Sequence, residues 1–305
     1  MKAPQYAYIG GKVVPLEEAK VSVLTHAFNY GTGIFEGIRG YYSAENHQLY
    51  IFRLRDHFER MEQNCKLLKI RLPHSIDDLC RLTVRLAEMN QLRENIYIRP
   101  LAYKSAQRIG VRMNEENDFT LFMVPFGDYL STDRALRVCV SSWRRLQDNA
   151  IPARGKICGA YVNSALAVAE AQDNGFDEAI LLNEDGHVAE GSAMNLILVK
   201  RGHLVVPPKS DNILDGITRD TLTQIARQEL EVETEVRSID RTELYSADEL
   251  FLCGTGVQIA PVGFVDHRRI GQGTSGPITR QLMRIYDEIL HGRLGKYSYW
   301  LTHVY

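Results

Sequence analysis

Cysteine is scarce in this chain and never paired. The five cysteines, Cys65, Cys80, Cys139, Cys158 and Cys253, are odd in number, widely spaced and nowhere arranged as C-x-x-C. That pattern excludes a disulfide framework and a cysteine-bound zinc site. No excess of positive charge exists either: 36 Lys and Arg against 38 Asp and Glu leave a net charge of −2. A basic stripe for nucleic-acid phosphates is therefore missing. No apolar run reaches membrane-span length, and Met1-Lys-Ala-Pro-Gln-Tyr-Ala-Tyr lacks the apolar core of a signal peptide. Internal repeats and low-complexity segments are absent as well. These absences predict a soluble cytoplasmic protein whose partner is a small molecule, with no role for nucleic acid, membrane or bound metal.

What is present is enough apolar material for two cores. A chain of 305 residues that is 45% hydrophobic exceeds one ordinary core and suits two domains. In the first part, Val21-Ser-Val-Leu is expected to open a strand-rich stretch, and Gln48-Leu-Tyr-Ile-Phe-Arg53 alternates as a strand. Phe58, Met61, Cys65 and Leu68 recur at helical spacing, as do Leu79, Leu82, Leu86 and Met89 between about Ser75 and Asn90. Strand character returns at Asn95-Ile-Tyr-Ile-Arg-Pro-Leu-Ala-Tyr and Phe119-Thr-Leu-Phe-Met-Val-Pro. The turn-rich Phe126-Gly-Asp-Tyr-Leu-Ser-Thr-Asp133 then reads as a linker. The expected division is an α+β domain over 1–126, a connecting loop over 127–134 and a second domain over 135–305. In the second domain, strands are expected at Ala135-Leu-Arg-Val-Cys-Val-Ser-Ser-Trp, Glu178-Ala-Ile-Leu-Leu, Asn195-Leu-Ile-Leu-Val and His203-Leu-Val-Val. Helices are expected over Tyr161–Asn174, Thr218–Glu229 and Pro277–His291.

Three segments carry chemistry in a fixed order. Lys156 sits in Pro152-Ala-Arg-Gly-Lys-Ile-Cys-Gly-Ala-Tyr161, just before an apolar helix, where burial would lower its pKa as imine formation needs. Glu190 follows the hairpin-like Asn183-Glu-Asp-Gly-His187 and heads Glu190-Gly-Ser-Ala-Met-Asn195. Ile213-Leu-Asp-Gly-Ile-Thr218 then enters a helix whose first amides suit a phosphate. An amine, a carboxylate for a ring nitrogen and a phosphate cradle are together the needs of pyridoxal phosphate. No one of them is informative alone, since an isolated Lys or Glu is ordinarily a solvated surface residue. Tyr161 adds a hydroxyl for the cofactor's phenolate oxygen, Gly254-Thr-Gly256 a second turn with amides, and Arg55 a counter-charge for the phosphate.

The early part of the chain holds further ordered motifs: His26-Ala-Phe-Asn-Tyr30-Gly-Thr-Gly-Ile-Phe35-Glu-Gly37-Ile-Arg39-Gly, then Arg53-Leu-Arg55-Asp-His57, then Tyr97-Ile-Arg99-Pro. With the Lys156 and Glu190 segments they resemble, along essentially the whole chain, the class IV pyridoxal phosphate enzymes, and among these the branched-chain amino acid aminotransferases. The resemblance implies a two-domain fold type IV enzyme with a smaller N-terminal α/β domain and a larger, β-barrel-like C-terminal domain with helices. It implies that Lys156 forms the imine and carries the proton, that Glu190 meets the pyridine nitrogen, and that Tyr161 meets the ring oxygen. Arg55, Ile217, Thr218 and Thr255 would hold the phosphate, with Leu214 also against the cofactor. Tyr30, Phe35, Gly37, Tyr129 and Tyr161 would build an apolar substrate pocket. Tyr97 and the amides of Thr255-Gly256-Val257 would take the α-carboxylate, and Arg99 the distal carboxylate of glutamate.

The loop Arg108-Ile-Gly-Val111 resembles one that relatives insert into a neighbouring subunit's site, which implies at least a homodimer. The implied activity is reversible amino transfer between L-leucine, L-isoleucine or L-valine and 2-oxoglutarate. Within the same fold a D-amino-acid aminotransferase, an (R)-amine transaminase and an aminodeoxychorismate lyase share the cofactor machinery; the set Tyr30, Phe35, Gly37, Tyr97 and Arg99 favours the branched-chain enzymes. A nucleotide-binding module is suggested by Gly31-Thr-Gly33 and Gly37 alone, but no strand-turn-helix unit with a following acid frames those glycines.

Overall fold

The computed structural model describes residues 4–127 and 134–305. In chain order the elements are β1 (Tyr6–Ile9), β2 (Lys12–Pro15), α1 (His26–Tyr30), β3 (Gly33–Phe35), β4 (Ile38–Ser43), β5 (Gln48–Phe52), α2 (Leu54–Leu67), α3 (Ile76–Asn90), β6 (Ile96–Lys104), β7 (Asn117–Pro125) and β8 (Leu136–Arg144). They continue with α4 (Tyr161–Asp173), β9 (Glu178–Leu182), β10 (Val188–Gly191), β11 (Asn195–Lys200), β12 (His203–Val206), α5 (Ile217–Leu230), β13 (Thr234–Val236), β14 (Glu249–Gly254), β15 (Gln258–Val265), β16 (Arg268–Arg269), α6 (Pro277–Leu290) and β17 (Leu301–His303). The chain divides into two compact units. One gathers Met1–Gly127, Gly155–Gly159 and Glu288–Tyr305; the other gathers Asp128–Arg154 and Ala160–Asp287.

The first unit is built on a sheet of order β17-β5-β4-β6-β7-β1-β2, with β3 added on β6. Its long central strands alternate as half-buried strands must: Ile96, Ile98 and Ala102 of β6 and Phe119, Leu121 and Met123 of β7 are buried, and their neighbours are less so. On α2, Leu54, His57, Phe58, Met61, Asn64 and Cys65 form one buried stripe; on α3, Leu79, Thr83, Leu86, Ala87 and Asn90 do the same. The Ser75 hydroxyl caps α3 by accepting the Asp78 N–H at 3.2 Å.

Two expectations fail in this unit. Val21–Leu24 forms no strand: its valines are among the exposed residues, no partner strand meets them, and the short helix α1 follows instead. That helix ends on Gly31, whose φ of 67° places it in the left-handed region while its N–H closes on Ala27 O. The second correction concerns the expected continuous domain over 135–305. Glu288–Tyr305 belongs to the first unit because β17 pairs with β5, Thr302 opposite Ile51, and Gly155–Gly159 belongs there because its backbone bonds to β3 and Gly31.

The second unit is a sheet of order β10-β9-β8-β15-β14-β11-β12-β13, with β16 on β15. The pairs β8–β9, β8–β15 and β12–β13 are parallel and the others antiparallel. One face closes over a core holding Val138, Ile180, Leu182, Val188, Leu196, Leu198, Val205, Leu252 and Val262. Residues one step along the same strands, Cys139, Ala179 and Leu181, join Ala167 and Ala171 of α4 on the opposite face. That parity is the period of two of a strand, and the small alanines let α4 lie close on the sheet. A core shared by seven strands is the signature of a curled sheet. Among the described residues the ladder nonetheless stays open at β10 and β13, so the expected barrel-like character is a half-barrel. The expected loop 127–134 falls almost wholly outside the described residues. No described helix is long and apolar enough to cross a membrane.

Candidate active site

In the first unit, Lys156 is fixed by its backbone. Phe35 N–H donates to Lys156 O at 3.1 Å, Ile34 and Ile157 form a bridge, and Gly159 N–H donates to Gly31 O at 3.1 Å. Gly31 and Gly159 meet almost backbone to backbone: a Cβ on Gly31 would stand 2.7 Å from Gly159 Cα. The Lys156 side chain is half-buried, with Nζ 4.8 Å from the centroid of Phe35. Cys158 beside it is protonated, because burial pushes its thiol up against the opposing pull of Arg99 and Lys156.

Arg99 lies over the same Phe35 ring, 4.5 Å from its centroid, and donates to Tyr97 Oη at 3.0 Å. Its Nε is buried and has no protein partner. Gly37 makes room for this arrangement: a Cβ there would stand 2.0 Å from Tyr97 Oη. Tyr30, at the end of α1, is partly exposed, and its hydroxyl accepts the Gly110 N–H at 2.8 Å. The loop 108–111 is thereby tied to Tyr30, yet Ile109 is 71% and Val111 81% exposed.

Arg55 stands exposed on α2, paired with Asp77 at the start of α3. The guanidinium turned inward from α2 is Arg60, whose Nε and Nη2 grip the fully buried Glu36 at 2.8 and 2.6 Å. His57 Nδ1 donates to Glu36 at 2.8 Å. Burial alone would raise the Glu36 carboxyl, but the charge of Arg60 and the bonds from Arg60 and His57 outweigh it and hold Glu36 far below the carboxylate range. Burial pushes His57 down, leaving it a neutral donor.

In the second unit, Glu190 lies on β10 opposite Leu181 of β9, and the turn Gly191–Met194, closed by a 2.8 Å bond from Gly191 N–H to Met194 O, brings Asn195 back beside it. Glu190 is 4% exposed. Its Oε1 pairs with Arg145 Nη2 at 2.7 Å; its Oε2 accepts from Asn195 Nδ2 at 2.9 Å and from Leu214 N–H at 3.1 Å. Asn195 Nδ2 also donates to Leu214 O at 2.9 Å, and Arg145 Nε to Asn212 O at 3.2 Å. Two residues on, Gly216 caps α5 without any side-chain cap, and a Cβ there would stand 1.7 Å from Asn195 Oδ1. That glycine is required by space, since its φ of −76° is open to any residue. Ile217 and the buried Thr218 begin α5. Tyr161 begins α4, and Thr255, Gly256 and Val257 form the turn between β14 and β15. Cys253, opposite Asn195 on β14, is inert because burial pushes its thiol up to about 12. Tyr129 lies outside the described residues.

The class IV amino-transferase family profile matches residues 33–263 of this chain. This chain belongs to the class IV aminotransferases, among the branched-chain-amino-acid aminotransferases. A protein of Aquifex aeolicus (strain VF5) named "Probable branched-chain-amino-acid aminotransferase" is 45% identical over 98% of this chain and 97% of its own length. The branched-chain-amino-acid aminotransferase of Escherichia coli (strain K12) is 35% identical over 99% of this chain and 98% of its own. Among solved structures, the branched-chain aminotransferase of Thermoproteus uzoniensis with norvaline superposes with a TM-score of 0.94 at 41% identity, covering 99% of this chain and 100% of that one. The branched-chain amino acid aminotransferase of Thermobaculum terrenum, in its PLP-bound holo-form, gives 0.95 at 39% identity, covering 100% of each chain.

Taken separately, each unit offers groups the cofactor needs: the first a half-buried lysine, the second a buried carboxylate ringed by donors and, at Ile217 and Thr218, a helix start without a side-chain cap. Sequence reasoning passed over Arg145, Asn195, Glu36, His57 and Arg60. Asn195 stood inside a quoted motif, and its partner Gly216 was legible only as a turn. Arg145 follows Trp143-Arg144 on the chain with no mark that it would face Glu190.

Proposed function

We propose that this protein is a pyridoxal phosphate-dependent transaminase that moves an amino group reversibly between L-leucine, L-isoleucine or L-valine and 2-oxoglutarate. The observation that carries the substrate reading is the pairing of Phe35 and Tyr97 with a guanidinium, Arg99, whose buried Nε lacks a protein partner. Aromatic faces reward aliphatic side chains at about 0.8 kcal/mol per buried CH₂. A carboxylate enters such a lining only when a cation receives it. Solved branched-chain amino acid aminotransferases support the same duality, with one complexed with 4-methylvaleric acid and also with N-(5'-phosphopyridoxyl)-L-glutamate.

When bound, the cofactor supplies an electron sink through its protonated ring nitrogen. Lys156 supplies the amine that attaches it and moves the proton at the substrate Cα. Glu190 keeps the ring nitrogen protonated, Tyr161 donates to the ring oxygen, and Leu214 lies against the ring. The amides of Ile217 and Thr218, with the hydroxyls of Thr218 and Thr255, take the phosphate. From α2, Arg55 supplies the counter-charge for the phosphate. Tyr97 and the Thr255-Gly256-Val257 amides take the substrate α-carboxylate; Tyr30, Phe35, Gly37, Tyr129 and Tyr161 shape the pocket.

The protein works in the cytoplasm as a homo-oligomer, at least a dimer, with loop 108–111 at the neighbouring subunit's site. The exposure of Val23, Phe28, Ile109 and Val111, at 73%, 70%, 71% and 81%, supports a second copy covering them. A half-reaction panel following cofactor colour with L- and D-amino donors tests the substrate reading. L-Leucine, L-isoleucine, L-valine and L-glutamate should all convert; conversion of D-donors alone would assign a D-amino-acid aminotransferase instead. Borohydride reduction and peptide mapping should place the label on Lys156.

A further inference from the structure

Glu190 and its neighbours pose a question about a proton. A carboxylate facing a pyridine nitrogen shares one proton with it, and the pair is either an ion pair or two neutral partners. Burial favours the neutral pair, because it removes the water that stabilises separated charges. Glu190 is 4% exposed, so water does not settle the matter. The surrounding protein does. Three donors touch its oxygens: Arg145 Nη2 at 2.7 Å, Asn195 Nδ2 at 2.9 Å and Leu214 N–H at 3.1 Å. Hydrogen bonds to the ionised form favour it, and an opposite charge at contact distance favours it most.

We propose that Arg145 is the positioning residue that keeps Glu190 ionised, and thereby sets the shared proton on the cofactor's ring nitrogen. This rests on the reading of Glu190 as the partner of that nitrogen. The Arg145 side chain is itself only 9% exposed, so its charge acts across a desolvated contact. The same guanidinium donates through Nε to Asn212 O at 3.2 Å, at the head of the turn that carries Leu214, Gly216 and the start of α5. It therefore orders the loop as well as the charge, and a test must separate the two.

Three variants do so: Arg145→Met, Arg145→Lys and Glu190→Gln. The first readout needs no cofactor. In apo-protein labelled with [δ-¹³C]glutamate, with Glu190→Gln identifying the resonance, parent and Arg145→Lys should show Glu190 as carboxylate near neutral pH. Arg145→Met should show it protonated. The second readout is the nitrogen shift of ring-¹⁵N pyridoxal phosphate bound to each protein. Parent and Arg145→Lys should give a pyridinium shift, and Arg145→Met should move toward neutral pyridine, as Glu190→Gln does. A pyridinium shift in Arg145→Met with Glu190 still ionised overturns the proposal. A pyridinium shift in Glu190→Gln overturns the Glu190 reading itself. Should Arg145→Met not fold, Arg145→Gln replaces it; a parent-like result in both readouts there overturns the proposal equally.

Discussion

Lys156 and Glu190 are held in opposite ways. Lys156 is anchored through its main chain, by the bonds of its segment to Phe35 and Gly31, and its ammonium rests on an aromatic face. Glu190 is anchored through its side chain, by a guanidinium, an amide and a backbone N–H. Under the proposed roles, the difference follows from what each has to do. A group that gains and loses protons and covalent partners during turnover has to be placed without fixing its charge, and backbone bonds place it so. A group whose charge has to stay constant is best held by the charge itself.

The sharpest way to break this comparison is Lys156→Ala. The backbone bonds to Phe35 and Gly31 remain in that variant, while loss of the acid–base group costs on the order of 10²–10⁴ in rate. Single-turnover decay of cofactor absorbance measures the rate. A large fall in thermal stability would show that the side chain, not the backbone, carries the anchor.

Gly216→Ala attacks the other side. Its Cβ would occupy the place of Asn195 Oδ1, 1.7 Å away, and overpacking of this kind costs about 1–3 kcal/mol. Cofactor affinity, read by equilibrium dialysis, should fall roughly 10- to 10²-fold. Gly295→Ala is the matched control, because nothing lies within 4 Å of the added methyl. Equal affinities in the two variants would mean that the Asn195 contact does not support the site.

Arg99→Met should leave leucine turnover nearly intact and lower half-reaction efficiency with glutamate by roughly 10- to 10²-fold, from a charged hydrogen bond worth about 1.5–3 kcal/mol. Equal loss for both substrates would assign Arg99 to the α-carboxylate or to the fold. The smallest effect on stability belongs to Arg55→Ala. Its partner Asp77 is as exposed as Arg55, so the melting temperature should stay at the parent value while cofactor affinity falls. Unchanged cofactor binding in that variant would remove Arg55 from the phosphate site.

The long helices were readable because four or five apolar positions repeat at one period: α2, α3, α4, α5 and α6 all lie where the sequence places them, within a residue or two. Helix α1 was not readable, since five residues cannot display a period and Thr25 offers no side-chain cap. The valines before it mimic a strand without having a partner. The two arginines of α2 show why site residues are harder than elements. Arg55 and Arg60 flank the buried stripe on opposite sides, and the sequence alone cannot say that one flank meets Asp77 and the other Glu36. Lys156 and Glu190 stand out in the sequence because the proposed chemistry, not packing, dictates their residue types; Arg145 does not, because its partner is 45 residues away on β10.

The interleaving of the two units governs how this protein can be divided. The chain passes between them after Gly127, after Arg154, after Gly159 and after Asp287. A gene cut once, between residues 127 and 128, therefore releases the second unit whole and leaves the first incomplete. The leading fragment would lack β17, leaving the edge of β5 bare for unwanted pairing, and would lack the Gly155–Gly159 segment that fits against Gly31. It would also lack the lysine. The first unit should regain its fold only when residues 155–159 and 288–305 are supplied again.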